Sequence, residues 1–185
     1  MYADLLFLQK NSGVLEKMRK KSIGKKFEAI HRSRVLAVQF LCSLDIYPAQ
    51  EFDSSLENFF NLEEIAQNDA PEIKRRSRDL ILKVLKNKNE LDSVILRVVT
   101  GWTPDRMVSV DRTILRLMLF EGFFEKTLPV RAAITEAVKL ANDFGTENSA
   151  RFINGVMYKI EKFFEENNES EKSENEKINA AGSEK

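Results

Sequence analysis

Residues 151–159 read RFINGVMYK. If the stretch is helical, Phe152, Gly155 and Lys159 share a flank with Asn148, and Arg151 lies just beyond. That combination suits one kind of chemistry. A ring can stack on an unpaired base, cations can meet the neighbouring phosphates, and the glycine clears space beside the ring, either for a neighbouring helix or for a ligand. Such a stack is typically worth about 1–3 kcal/mol and tolerates any base. Phe152 reads equally as a peripheral core residue, and geometry alone leaves both readings open. A second array lies near the start of the chain. Lys25, Arg32 and Gln39 recur every seven residues and share one polar face, with Ser43 beside them. A face of this type is either simply solvated or a path for a nucleic-acid backbone. Arg34 turns toward the apolar side of the same helix, where it is expected to pair internally or to snorkel. His31 adds a possible donor.

Covalent and metal chemistry find little to work with. One histidine and one cysteine cannot make a dedicated Cys/His zinc site, and Cys42 cannot form an intramolecular disulfide. There is no Gly-rich phosphate loop, no G-x-S-x-G elbow and no His-Glu pair at metal spacing. Cys42 falls near the core side of its helix and reads as a structural thiol. The expectation is a binding protein, not an enzyme, without cofactor or metal.

The elements that must hold these residues are helical. The chain of 185 residues is 43% hydrophobic and 31% charged, enough for one domain with a packed core, and 7 Gly and 4 Pro are too few for a turn-rich β fold. Phe27, Ile30, Val38, Leu41 and Asp45 mark one side of a helix over about 25–46, stopped by Pro48. Leu56, Phe59, Phe60 and Ile65 mark a second. Pro71 opens a third, with Ile73, Leu80, Ile81, Val84 and Leu85 inward. Leu91, Ile95 and Val98 follow, and Thr103-Pro104 reads as a cap and first-turn proline. Ile114, Leu115, Met118 and Leu119 give a nearly all-apolar helix, a candidate for the centre. Pro129 opens the next, carrying Val130, Ala133, Ile134, Ala137, Val138, Ala141 and Phe144 at helical spacing. Gly145 ends it and Thr146 caps the last helix. There, Ser149, Ile153, Val156, Met157, Ile160 and Phe164 form a core stripe, which overrides the Asn-Gly turn signal. The spacing predicts an all-α, single-domain helical bundle of about seven helices.

Formal net charge is zero, but the ends differ. From Lys17 to Arg34, Lys20, Lys21, Lys25, Lys26, Arg19 and Arg32 are opposed only by Glu28. After Phe164 the sequence EENNESEKSENEKINAAGSEK is acidic and nearly devoid of apolar residues. The reading is a partly ordered extension over 1–24, a helical domain over 25–166 and a disordered acidic tail over 167–185. No apolar run reaches the roughly 20 residues of a membrane span. A cytoplasmic setting is expected.

The stretches DRTILRLMLFEG and LPVRAAITEAVKLANDFGTENSARFINGVMYKI resemble the carboxy-terminal half of NusB-type transcription antitermination factors, and HRSRVLAVQFL resembles their Arg-rich first helix. The resemblance spans roughly residues 25–164. It implies an all-α fold of two packed helical subdomains and a factor that binds boxA-type single-stranded RNA. It also implies pairing with ribosomal protein S10 (NusE) within the transcription elongation complex, and leaves a homodimer possible. Carried over, the Arg-rich start falls on Arg32 and Arg34, followed by Gln39. The later motif falls on Phe144, Phe152, Asn154 and Gly155. Asp111 stands at the opening of the central helix, near the family's partner surface, with Met118 on the same helix. His31 and Ser33 interrupt the Arg-rich segment, and Lys25 and Lys26 stand in for the missing charge. Cys42 replaces a frequent Tyr, and Asn148 a frequent carboxylate. With the resemblance, Phe152 reads as an RNA contact, and both arrays are expected to line one continuous single-strand track. A helical protein–protein adapter with incidental RNA binding is the rival reading. The helical domain fused to ribosomal RNA methyltransferases is another, but this chain has no room for the catalytic part.

Overall fold

The computed structural model describes the backbone of residues 2–46, 51–99 and 107–182, and the side chains of 22–45, 51–99 and 107–169. Pro48 and Thr103-Pro104 lie outside the described residues. Among those described there are eight α-helices, one π-helical turn and no strand. None of these helices is long and apolar enough to cross a membrane.

The first helix, α1 (Tyr2–Ile46), starts well before residue 25, so backbone of the expected extension is continuous with the core helix. Its buried run is Val35, Leu36, Ala37, Val38, Phe40 and Leu41. Phe27, assigned above to the inward side, is 68% exposed. The period is right, but α1 outruns its packing partners, and, Gly24 apart, the half-buried residues begin at Ala29 and Ile30.

The second apolar run is two helices, α2 (Phe52–Phe60) and α3 (Glu63–Asn68). The Asn61 N–H bonds back to the carbonyls of Glu57 and Asn58 and closes α2. Leu62 then leaves the helix in an extended conformation and projects into solvent, 54% exposed. α4 (Pro71–Lys86) begins at its proline, whose missing N–H costs nothing in a first turn. α5 (Lys88–Val98) follows after one residue.

The axis of the bundle is α6 (Ser109–Leu119), where Ile114, Leu115, Leu117, Met118 and Leu119 have no exposed surface. It is wrapped by α1, α4, α5, α7 and α8. α6 passes into a π-helical turn, Phe120–Phe124, closed by the Glu125 N–H on the Phe120 carbonyl at 2.9 Å. Gly122 lies in this turn, and a Cβ there would come within 2.8 Å of the Ala133 Cβ. The missing side chain lets α7 (Val130–Phe144) approach closely.

α7 buries a stripe of small residues, Ala133, Ala137 and Ala141, with Leu140. It stops at Gly145, where a Cβ would meet the Ala141 carbonyl at 2.6 Å and Ser149 at 2.4 Å. α8 (Ser149–Gly182) opens three residues after Thr146. Ser149 Oγ accepts a hydrogen bond from the Thr146 N–H at 2.8 Å, tying the cap to the helix start. The helix continues to Gly182, so much of the acidic segment has helical backbone.

Candidate nucleic-acid interface

α8 presents the expected flank. Asn148, Arg151, Gly155 and Lys159 are exposed, and Phe152 is half-buried, its inner edge packed on the core. Phe144, at the end of α7, is half-buried too. Asn154 is exposed. No ion-pair partner meets Arg151 or Lys159 among the described residues. A Cβ at Gly155 would find nothing within 4 Å. The glycine therefore does not admit a neighbouring helix. It leaves an open surface beside Phe152.

On α1, Lys25, Lys26 and Gln39 are exposed, and the two lysines have no ion-pair partner among the described residues. The exposed ring of Phe27 follows them along α1. Spacing alone assigns that ring to the core. Its only sequence signal is its place in a stretch dense in lysine.

Arg32 is held rather than free. Its Nε and Nη2 donate to the two carboxylate oxygens of Asp69, each at 2.8 Å. The Asp69 hydrogen bond is the main reason that the Arg32 pKa is raised. The pair pins α1 to the corner between α3 and α4.

Arg34 is not a surface residue. Its side chain is 6% exposed, and Nε and Nη2 donate to Glu121, which is fully buried, at 2.6 and 3.2 Å. Nη1 reaches Glu136 at 3.2 Å. Burial alone would lower its pKa, but the bonds and charges of Glu121 and Glu136 outweigh burial and raise it. Arg76 adds a second donor to Glu121 at 2.5 Å. The expected RNA contact at Arg34 is therefore corrected: its guanidinium is spent on satisfying a buried carboxylate. His31 lies alongside, with Nδ1 at 2.6 Å from Glu136 and Nε2 at 3.6 Å from Asp143, linking α1 to α7.

The two residues assigned to a partner surface are also corrected. Met118 has no exposed surface. Asp111 is 6% exposed, in the first turn of α6 beside Ser149 of α8, and burial raises its pKa against that hydrogen bond. The accessible group there is Val108, which is 47% exposed. Cys42 is half-buried, and burial raises its pKa, so the thiol stays protonated and poorly nucleophilic.

The arrays on α1 and α8 do not touch through any described contact. Glu161 on one side of α8 reaches Arg131 of α7 at 3.6 Å. On the other side, the Phe163 ring lies 5.9 Å from the Arg97 guanidinium of α5. Phe152 is eleven residues from Phe163, hence about 20° from it around the helix, on the side turned from α7. α7 in turn contacts α1 through Glu136 and Asp143. So α7 packs against both α1 and α8, while Arg32 of the basic face turns to Asp69 and Phe152 lies on the side of α8 turned from α7; α7 itself carries the exposed Lys139. The structure describes two patches rather than one walled trough.

The chain is similar to known proteins. The sequence profile of the NusB family matches residues 31–162. The transcription antitermination protein NusB of Carboxydothermus hydrogenoformans is 37% identical over 142 residues, covering 74% of this chain and 97% of that protein. The protein of the same name from Halothermothrix orenii is 38% identical over 130 residues, covering 70% and 93%. Among solved structures, T. maritima NusB superposes with a TM-score of 0.62 at 31% identity, covering 71% of this chain and 89% of that one. A chain in the crystal structure of the antitermination factors NusB and NusE in complex with dsRNA gives 0.63 at 21% identity, covering 73% and 97%, a likeness of fold.

Proposed function

The chain belongs to the NusB family of transcription antitermination proteins, and we propose that it works by binding single-stranded, boxA-type RNA together with ribosomal protein S10 (NusE) in the elongation complex. One observation carries the reading: the profile match runs from His31 to Lys162, taking in Arg32 and Gln39 of the first array and the whole Phe152 flank, and a relative named as an antitermination protein is matched over 97% of its length. The chemistry of the surface supports it. Lys25, Lys26, Arg151 and Lys159 are exposed cations, and Phe152 offers one ring edge beside an open glycine. Backbone charge supplies affinity, while stacking and polar edges such as Gln39 and Asn148 supply a modest sequence preference. Because the patches are separate, the strand crosses the outer face of α7, where Lys139 and the Phe144 end of the helix lie in its path. Lys25 and Arg32 on α1 and Phe152 on α8 are then the two ends of that path.

The partner docks near the start of α6, where Val108 is exposed above the buried Asp111. Action is by binding and not by catalysis, in the cytoplasm where nascent transcripts are made.

The experiment is a gel-shift titration with a boxA-like strand and a scrambled strand, each with and without S10. Preference for the boxA-like strand, strengthened by S10, is expected. With about three phosphates neutralised, the log–log salt slope is roughly −2. Capture of S10 with no RNA preference in its presence would favour a pure adapter instead.

A further inference from the structure

Between α1 and the α2–α3 corner lies a cavity of about 280 Å³, lined by Arg32, Gln39, Phe59, Leu62, Glu64 and Ile65. It is at the small end of ligand sites, near the lower limit of about 300 Å³ for a small molecule, and suits a single flat ring. Its apolar wall is pre-set. The Phe59 ring is fixed by Phe40 at 5.3 Å and Phe60 at 5.2 Å, and Ile65 is buried beneath. Leu62 closes the wall from outside, and its exposure is what the break between α2 and α3 produces.

The polar side is pre-set as well. Arg32 spends Nε and Nη2 on Asp69, which locks the guanidinium plane and leaves Nη1 to donate. Gln39 is exposed at the rim and offers both a donor and an acceptor. The charge balance then decides the class of ligand. Asp69 and Glu64 both act on Arg32, so two carboxylates surround one guanidinium. A phosphate would meet net negative charge here. A neutral ring with an amino group would instead donate to Glu64, accept from Arg32 and lie against Phe59 and Leu62.

We propose that this cavity is a base-specific pocket, which takes one unpaired nucleobase bearing an exocyclic amine and disfavours uracil. The proposal rests on the reading of the chain as an RNA-binding factor. It assigns Arg32 a role different from phosphate neutralisation: the residue holds a base edge, and the backbone charge is met by the lysines.

The test is fluorescence-anisotropy titration of the full chain with a boxA-like strand and with strands carrying one abasic position at a time. Wild type is expected to show one position whose base removal weakens binding about tenfold, the worth of a good stack or a charge-assisted base contact. Uridine there should bind worse than cytidine. In Leu62→Ser that position should become insensitive, and Glu64→Gln should erase the preference for cytidine over uridine. Both side chains are exposed, so circular dichroism should show unchanged helix content. An abasic profile identical in wild type and both variants overturns the pocket while leaving RNA binding intact. No binding of any strand by wild type overturns both.

Discussion

Replacing Arg34 by methionine separates a buried structural arginine from an RNA contact. The substitution leaves Glu121, with no exposed surface, without two of its three donated hydrogen bonds. Removing one member of a buried ion pair costs about 3–5 kcal/mol, because the remaining charge loses its compensation. Here Arg76 stays on Glu121 at 2.5 Å, and His31 stays on Glu136 at 2.6 Å, so the loss sits at the low end, about 3 kcal/mol. At roughly 2–4 °C per kcal/mol for a chain of this size, the melting temperature falls by about 6–12 °C. The assay is a thermal melt followed by far-ultraviolet circular dichroism, paired with RNA titration well below the variant's transition. RNA affinity of the folded variant should match wild type. Adding Glu121→Leu removes the orphaned carboxylate, so the double variant should lose less than the two single losses added together. Lys25→Met with Lys26→Met is the mirror control, with melting unchanged and RNA binding weaker. A variant of Arg34 that melts like wild type while losing RNA affinity would refute the burial argument.

Phe152→Ala should weaken RNA binding by about 1–3 kcal/mol with helix content retained; loss of stability without loss of RNA binding, in the same two assays, would return the ring to a packing role. Gly155→Ala should stabilise the fold by about 1 kcal/mol, since a helical glycine is replaced where a Cβ meets nothing within 4 Å. A denaturant titration reads the gain, and a simultaneous drop in RNA affinity would show that the strand lies over that position. Asp111→Asn should raise the melting temperature at neutral pH. Burial raises the Asp111 pKa, so the folded state binds the proton more tightly and stability falls as pH rises through the window above the ordinary carboxyl value. The asparagine lacks that loss, and its advantage should vanish below about pH 4, where the carboxyl is protonated in both states.

Much of the fold was legible because local signals agree with packing. Pro71 stands at the first position of α4, Gly145 ends α7, and the apolar run of α6 is the centre of the bundle. The break between α2 and α3 was not legible, since Asn61-Leu62 carries neither glycine nor proline and the apolar spacing runs across it. Phe27 shows the limit of periodicity: the wheel gives a side, but how far along α1 the neighbours reach is a tertiary fact. For Arg34 the wheel did give the inward direction, while its partner lies 87 positions away. A signal for that partner existed in LFEGFF, where a lone carboxylate among apolar residues needs a buried cation. How the two arrays relate was not legible for a similar reason: each helix can have a correct polar flank while contacts distant in sequence, such as Arg32 with Asp69, decide which way that flank turns.

The same contacts explain how a chain with zero formal charge can still face a polyanion. Three arginines and four lysines are used differently here, and the difference is physical. Arg32, Arg34 and Arg116 each give a forked pair of hydrogen bonds to one carboxylate, on Asp69, Glu121 and Asp92 respectively. A planar guanidinium does this with a fixed geometry that an ammonium lacks. Those arginines are neutralised in place and add nothing to the outer field. Lys25, Lys26, Lys139 and Lys159, by contrast, stay exposed, as hydrated point charges suited to a moving phosphate backbone. Arg151, like the exposed Arg75 and Arg97, departs from those three: it is exposed, beside Phe152, and without an ion-pair partner among the described residues. Its fork is therefore free for a base edge or a phosphate. Arg151→Lys keeps the charge but removes the fork, so any loss of RNA affinity it produces measures geometry and not charge.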